Sequence, residues 1–175
     1  MNIILIGGVA GTGKSILAQG LSKHAGIPWF STDQIRTILQ ATMSEEEKAD
    51  NEQNASKIWK GIVALANRPF PWENGCIIEG IGILQELVAR DLKENPAIKA
   101  IFLTYKDKEK ITEIISERSK LPWIKTKTGE QQKQKVEILI ASNKKLTVDA
   151  EKFGFPIIEA HTEKMFDEVL SILGI

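Results

Sequence analysis

Hydrophobic and polar positions alternate along this chain in two rhythms. Short apolar runs stand at Ile3–Ile6, Ile27–Ser31, Cys76–Ile78, Ala100–Thr104 and Phe155–Ile158, several of them edged by Gly or Pro. Runs of that length and edging predict buried strands. Between them, apolar positions recur at intervals of three and four residues. This second rhythm predicts helices over 15–25, 32–42, 44 to about 67, 83–93, 108–119, 130–153 and 162–173. Gly26 should end the first helix. Ser44 and Glu47 have capping-box spacing, which predicts the start of one long helix whose stripe includes Ile58, Ile62 and Leu65. Pro69-Phe70-Pro71-Trp72 should interrupt regular structure, and residues 120–129 show no clean period.

Strands that alternate with helices imply a five-stranded parallel sheet with helices on both faces, an α/β architecture. The 175 residues fit a single domain, 1–175, with the 44–75 region as an insertion over the sheet. In such sheets ligands sit at the carboxyl ends of the strands. The segments that directly follow strands are therefore where chemistry should be sought.

After the first strand, Gly8-Val9-Ala10-Gly11-Thr12-Gly13-Lys14-Ser15 fits G-x-x-x-x-G-K-[ST] without mismatch. The glycines let the backbone curl so that its N–H groups face phosphate oxygens, and the next helix turns its positive end to the same anion. Gly8, Gly11, Thr12, Gly13, Lys14 and Ser15 are the candidate nucleotide-binding residues. Lys14 can reach terminal phosphates, and the Ser15 hydroxyl can ligate Mg²⁺.

After the second strand comes Ser31-Thr32-Asp33-Gln34-Ile35-Arg36. On a helix Asp33 and Arg36 lie on one side. A carboxylate here could accept a proton from a substrate hydroxyl, and the arginine's planar fork could hold an anionic group. A helix-capping acid paired with a surface arginine is the alternative. After the third strand, Glu79 could order Mg²⁺ through water or bond an acceptor hydroxyl, and Gly80 allows close backbone approach. Cys76 reads as core.

The glycine-rich phosphate loop followed by Ser-Thr-Asp-x-Ile-Arg resembles the small-molecule kinases of the P-loop class. Within it, Ile78-Glu79-Gly80 is similar to the 2-phosphoglycerate kinases, and the pattern is close to the zeta-toxin-like group as well. The resemblance implies a three-layer P-loop NTPase fold with a small lid. It implies transfer of the γ-phosphoryl group of ATP, as its Mg²⁺ complex, to a small hydroxyl-bearing anionic metabolite. Lys14, Asp33 and Arg118 would be catalytic. Asp33, Arg36, Glu79 and Gly80 would face the acceptor, and Ser15 the metal. It also implies a lid over 118–135, with Arg118 as its cation, and an adenine-contact loop near Glu159–Thr162. Nucleoside-monophosphate kinases carry Asp-Gly and then Pro-Arg after the third strand, whereas this chain has Ile81-Gly82-Ile83-Leu84. A nucleoside-monophosphate kinase, a zeta-toxin-like sugar-nucleotide kinase and a non-kinase nucleotide switch are the rival readings.

Composition and charge then narrow the partners. Lys+Arg and Asp+Glu number 23 each, so the formal net charge is zero. That argues against a general coat on nucleic acid. The neutrality is uneven, because residues 118–135 alone sum to +5. This local excess suits a polyanionic nucleotide. Asn143-Lys144-Lys145-Leu146 lacks the carboxylate a guanine motif needs; His161 reads as a surface residue at a helix start, with a place in the lining of the adenine-contact pocket as the alternative. One cysteine, no run long enough to span a membrane and no signal-like start point to a cytoplasmic protein with no membrane partner.

Overall fold

A computed structural model describes residues 2–67, 75–117 and 129–175. Its elements are β1 (Asn2–Gly8), α1 (Lys14–Ala25), β2 (Trp29–Ser31), α2 (Thr32–Gln40), α3 (Glu45–Ala49), α4 (Asn51–Ala66) and β3 (Gly75–Glu79). They continue with α5 (Gln85–Asp91), β4 (Ile98–Thr104), α6 (Lys108–Glu117), α7 (Gly129–Phe153), β5 (Ile157–Glu159) and α8 (Met165–Leu173). The five strands form one parallel sheet in the order β2-β3-β1-β4-β5.

Successive side chains on a strand point to opposite faces, so each strand feeds two cores. Ile3, Leu5, Cys76, Ile78 and Phe102 pack with Ile58, Ile62, Val88, Leu139 and Leu146 from α4, α5 and α7. Ile4, Ile6, Ile77, Ile101 and Leu103 pack with Leu17, Leu21, Val169 and Leu173 from α1 and α8. Each such aliphatic side chain, when fully buried, contributes about 1.5–3 kcal/mol of hydrophobic transfer free energy. The sheet is thus covered on both faces, and its carboxyl edge is left for the loops. The register sets Ile6 beside Glu79 and Glu79 beside Ser31, so the ends of β1, β3 and β2 lie level.

Gly26 ends α1 in the left-handed conformation at φ 66°. The single helix expected from Ser44 to about Asn67 is instead two. The capping box forms, with Ser44 accepting from the Glu47 amide, but α3 closes at Asp50, whose ψ of 100° is extended. The Asp50 carbonyl then accepts the Asn54 amide, the first bond of α4. Aspartate favours such end positions over helix interiors, and here it overrides a continuous periodic pattern. The last helix starts at Met165 rather than Thr162, and the helix expected over 83–93 spans Gln85–Asp91. Residues 69–72, with Trp72, lie outside the described residues.

The α4 helix is anchored by Trp59, whose Nε1 donates to Asp91 Oδ2 at 2.6 Å. Arg90 also grips that carboxylate, with Nε at 2.7 Å from Oδ1 and Nη2 at 2.6 Å from Oδ2. The Arg90 guanidinium first, and the indole N–H second, hold the Asp91 carboxyl down at about 2.

Candidate functional site

The loop between β1 and α1 curls on glycines at φ 145° (Gly8), 94° (Gly11) and 81° (Gly13). At Gly8 a side chain is also excluded by contact, since a Cβ would sit 2.6 Å from the Leu103 carbonyl oxygen. Gly13 caps α1 without a side-chain hydrogen bond, as a glycine must. Inside the loop three donors of two residues converge on one acceptor. Lys14 Nζ lies 2.7 Å from the Val9 carbonyl oxygen, Thr12 Oγ1 3.0 Å and the Thr12 amide 3.5 Å. Thr12 and Lys14 are both buried.

The neighbouring strand end contributes Glu79. Ser15 Oγ donates to Glu79 Oε1 at 3.0 Å, across 64 residues of sequence. Glu79 is 3% exposed, and no ion pair reaches it among the described residues. A hydroxyl and a carboxylate are hard oxygen donors, the kind that Mg²⁺ takes when it keeps several waters and substrate phosphates as well. No group of three or more His, Cys, Asp or Glu side chains stands ready for a metal among the described residues. Gly80 follows in tight quarters, because a Cβ on it would fall 1.7 Å from Thr32 Oγ1. Thr32 is itself buried, and its hydroxyl has no hydrogen-bond partner among the described residues.

The β2–α2 junction carries the next pair. Ser31 and Gln34 cap α2 reciprocally, which fixes the first turn on which Asp33 stands. Arg36 Nη1 donates to Asp33 Oδ1 at 3.0 Å, one turn along. The Asp33 side chain is 70% exposed and that of Arg36 37%. The two thus form a surface ion pair at the carboxyl edge of the sheet, beside the Glu79–Gly80 strand end.

On the far side of the loop stands a residue that sequence reasoning left on the surface. His161 is exposed, yet its Nε2 lies 2.9 Å from the Gly11 carbonyl oxygen, and its ring stacks on Tyr105. Asn143, which no guanine motif explains, is buried and holds the Tyr105 backbone through both its amide atoms. Spacing offered no signal for either contact, since 150 residues separate His161 from Gly11. A cleft of about 1240 Å³ opens here, bordered by Thr104, Tyr105, Lys106, Asn143, Glu159 and Thr162. A second, of about 460 Å³, lies between Gly8–Ala10, Ile81, Leu84 and Ile138. Arg118, Lys120, Pro122, Trp123, Lys125 and Lys127 lie outside the described residues, and Lys133 and Lys135 fall in the first turns of α7.

No protein-family model matches the chain. Among curated proteins it is 23% identical to the 2-phosphoglycerate kinase of Methanopyrus kandleri, over 98% of this chain and 60% of that protein. It is likewise 23% identical to the 2-phosphoglycerate kinase of Methanococcus maripaludis, over 90% of this chain and 59% of that one. The chain therefore spans about three fifths of the length of the curated relatives it matches. Among solved structures, shikimate kinase from Bacteroides thetaiotaomicron superposes with a TM-score of 0.68 at 13% identity, covering 99% of both chains. A gluconokinase from Sinorhizobium meliloti gives 0.61 at 14% identity, over 99% of this chain and 91% of that one. With its sheet order and phosphate loop, the chain is a distant homologue of 2-phosphoglycerate kinase built on the P-loop small-molecule kinase fold.

Proposed function

We propose that the protein is an ATP-dependent phosphotransferase that moves the γ-phosphoryl group to a hydroxyl of a small anionic metabolite, 2-phosphoglycerate being the first candidate. The observation that carries this reading is the phosphate loop with the Ser15–Glu79 bond at its mouth and the Asp33–Arg36 pair on the adjoining strand end. The named activity of the curated relatives supports the class of reaction and a phosphorylated, carboxylated acceptor, and the shikimate kinase and gluconokinase of like fold are named for carboxylated hydroxy acceptors.

Roles follow from the chemistry of each group. The amides of Gly11–Lys14 and the Lys14 ammonium bind the phosphates, where the Val9 carbonyl now takes the donors. Mg²⁺ bound with the nucleotide would be held by Ser15, with Glu79 behind it. Such an ion neutralises charge on the phosphates. Asp33 accepts the acceptor's hydroxyl proton, and Arg36 binds its anionic group. The present Asp33–Arg36 pair does not oppose these roles. An exposed pair contributes about 0–1 kcal/mol, so an incoming anion can take Arg36 and leave Asp33 free for the hydroxyl. Arg118 would close over the phosphates from the lid. The whole 1–175 chain would act as one kinase domain, with the 44–75 region over the acceptor.

The experiment is an ATP-consumption assay across phosphorylated and carboxylated hydroxy metabolites, with nucleoside monophosphates as the competing class. ADP release that depends on a hydroxy acid or sugar phosphate supports the reading. Release that depends only on a nucleoside monophosphate, or on no acceptor, removes it.

A further inference from the structure

His161 joins an unusual backbone to a specific contact. Among the described residues it alone has a positive φ without being glycine, at 62°. Histidine is one of the few types enriched in that region, and such a conformation persists only where the surroundings over-determine it. Two contacts do so here. Its ring lies nearly parallel to that of Tyr105, with centroids 5.9 Å apart and planes at 13°. Its Nε2 is 2.9 Å from the Gly11 carbonyl oxygen. A carbonyl only accepts, so Nε2 carries the proton and donates. Tyr105 is in turn fixed on α7. Its amide donates to Asn143 Oδ1 at 2.9 Å, and Asn143 Nδ2 donates to its carbonyl at 2.8 Å.

The bond matters because of what lies across the same peptide. In a trans peptide the C=O and the following N–H point in opposite directions. Holding the Gly11 carbonyl outward on His161 turns the Thr12 N–H inward, where it faces the Val9 oxygen that also takes Lys14 Nζ. Gly11, with no Cβ, sets this plane only loosely by itself.

We propose that His161 is a positioning residue of the phosphate loop: by holding the Gly11 carbonyl it aims the Thr12 amide at the bound phosphate. This rests on the nucleotide-binding role proposed above. The test is calorimetric titration of the full chain, and of its His161→Gln, His161→Phe and His161→Ala variants, with a non-hydrolysable ATP analogue and Mg²⁺. Gln places an N–H donor at similar reach without a ring, and Phe keeps the ring without a donor. Both carry the same backbone penalty at a left-handed position, so the difference between them reads the donor.

Loss of one hydrogen bond should weaken binding about tenfold in the Phe and Ala variants. The Gln variant should stay within about threefold of the parent, with the variants' unfolding midpoints close to one another and below the parent's. Phe or Ala variants that bind like the parent would overturn the proposal, and so would a Gln variant as weak as Ala. A parent chain that binds no nucleotide would instead remove the nucleotide reading itself, a result distinct from either.

Discussion

Ser15 Oγ donates to Glu79 Oε1 at 3.0 Å, which links the first turn of α1 to the end of β3. The bond joins the motif that defines the phosphate loop to a carboxylate that is buried without a cation among the described residues. Burying a carboxylate costs stability, so its retention points to a use. Glu79→Gln keeps an oxygen that can accept from Ser15 and removes the charge. The variant should unfold at an equal or higher temperature, while needing more Mg²⁺ for half-maximal turnover and losing at least about tenfold in rate. Thermal unfolding and Mg²⁺-dependent kinetics check both halves. A variant with unchanged Mg²⁺ dependence and rate would take Glu79 out of the site.

Asp33 and Arg36 separate by the constants they move. Asp33→Asn should lower kcat by about 10²–10⁴-fold, the usual worth of a positioned base, with little change in ATP affinity. Arg36→Ala should instead raise the acceptor KM. Steady-state kinetics with each substrate varied in turn distinguish the two. Near-normal turnover of Asp33→Asn would leave the pair as a surface ion pair and nothing more.

Gly80 is set against Thr32 with no room for a methyl group. Gly80→Ala should destabilise the fold by about 1–3 kcal/mol through overpacking, a fall of about 2–12 °C in unfolding midpoint. Removing the obstructing side chain in the double variant Gly80→Ala, Thr32→Ala should recover part of that loss. No recovery would mean that backbone strain, rather than the Thr32 contact, sets the cost.

Asp91 makes stability depend on acid. Its carboxyl is held at about 2, below the ordinary value near 4. The folded state therefore binds that proton less readily than the unfolded chain. The resulting stabilisation is present above about pH 4 and is lost as pH falls toward 2. Denaturant midpoints measured over that window should fall more steeply for the parent than for Asp91→Asn. Equal slopes would show that Arg90 and Trp59 do not hold the carboxylate in solution.

How much of this was legible in the residues depends on the length scale of each interaction. The phosphate loop was legible because glycine spacing and a helix start are local backbone chemistry. The Asp33–Arg36 pair was legible because three residues on a helix make neighbours of any two side chains. The alternation of short apolar runs with helical stripes carried the parallel sheet. The break at Asp50 was hidden, because the stripe continues across it while the choice between capping and helix interior is made by a single side chain. The Ser15–Glu79 bond needed the register of β1 against β3, and the His161–Gly11 contact needed the β5–α8 loop folded back over the first loop. Neither leaves a periodic trace.

The most direct test follows the phosphoryl group itself. The parent chain and Lys14→Ala are incubated with γ-labelled ATP, Mg²⁺ and 2-phosphoglycerate, with glycerate, shikimate and gluconate in parallel, and the label is located by mass spectrometry. In the proposed role Lys14 would make a charge-assisted contact to phosphate, of the kind that contributes about 1.5–3 kcal/mol, so its loss should weaken ATP binding roughly ten- to hundredfold. The expected result is label on an acceptor hydroxyl with the parent chain and at least about tenfold less with Lys14→Ala. Label found only in inorganic phosphate, or equal transfer by both chains, would contradict phosphoryl transfer through this loop.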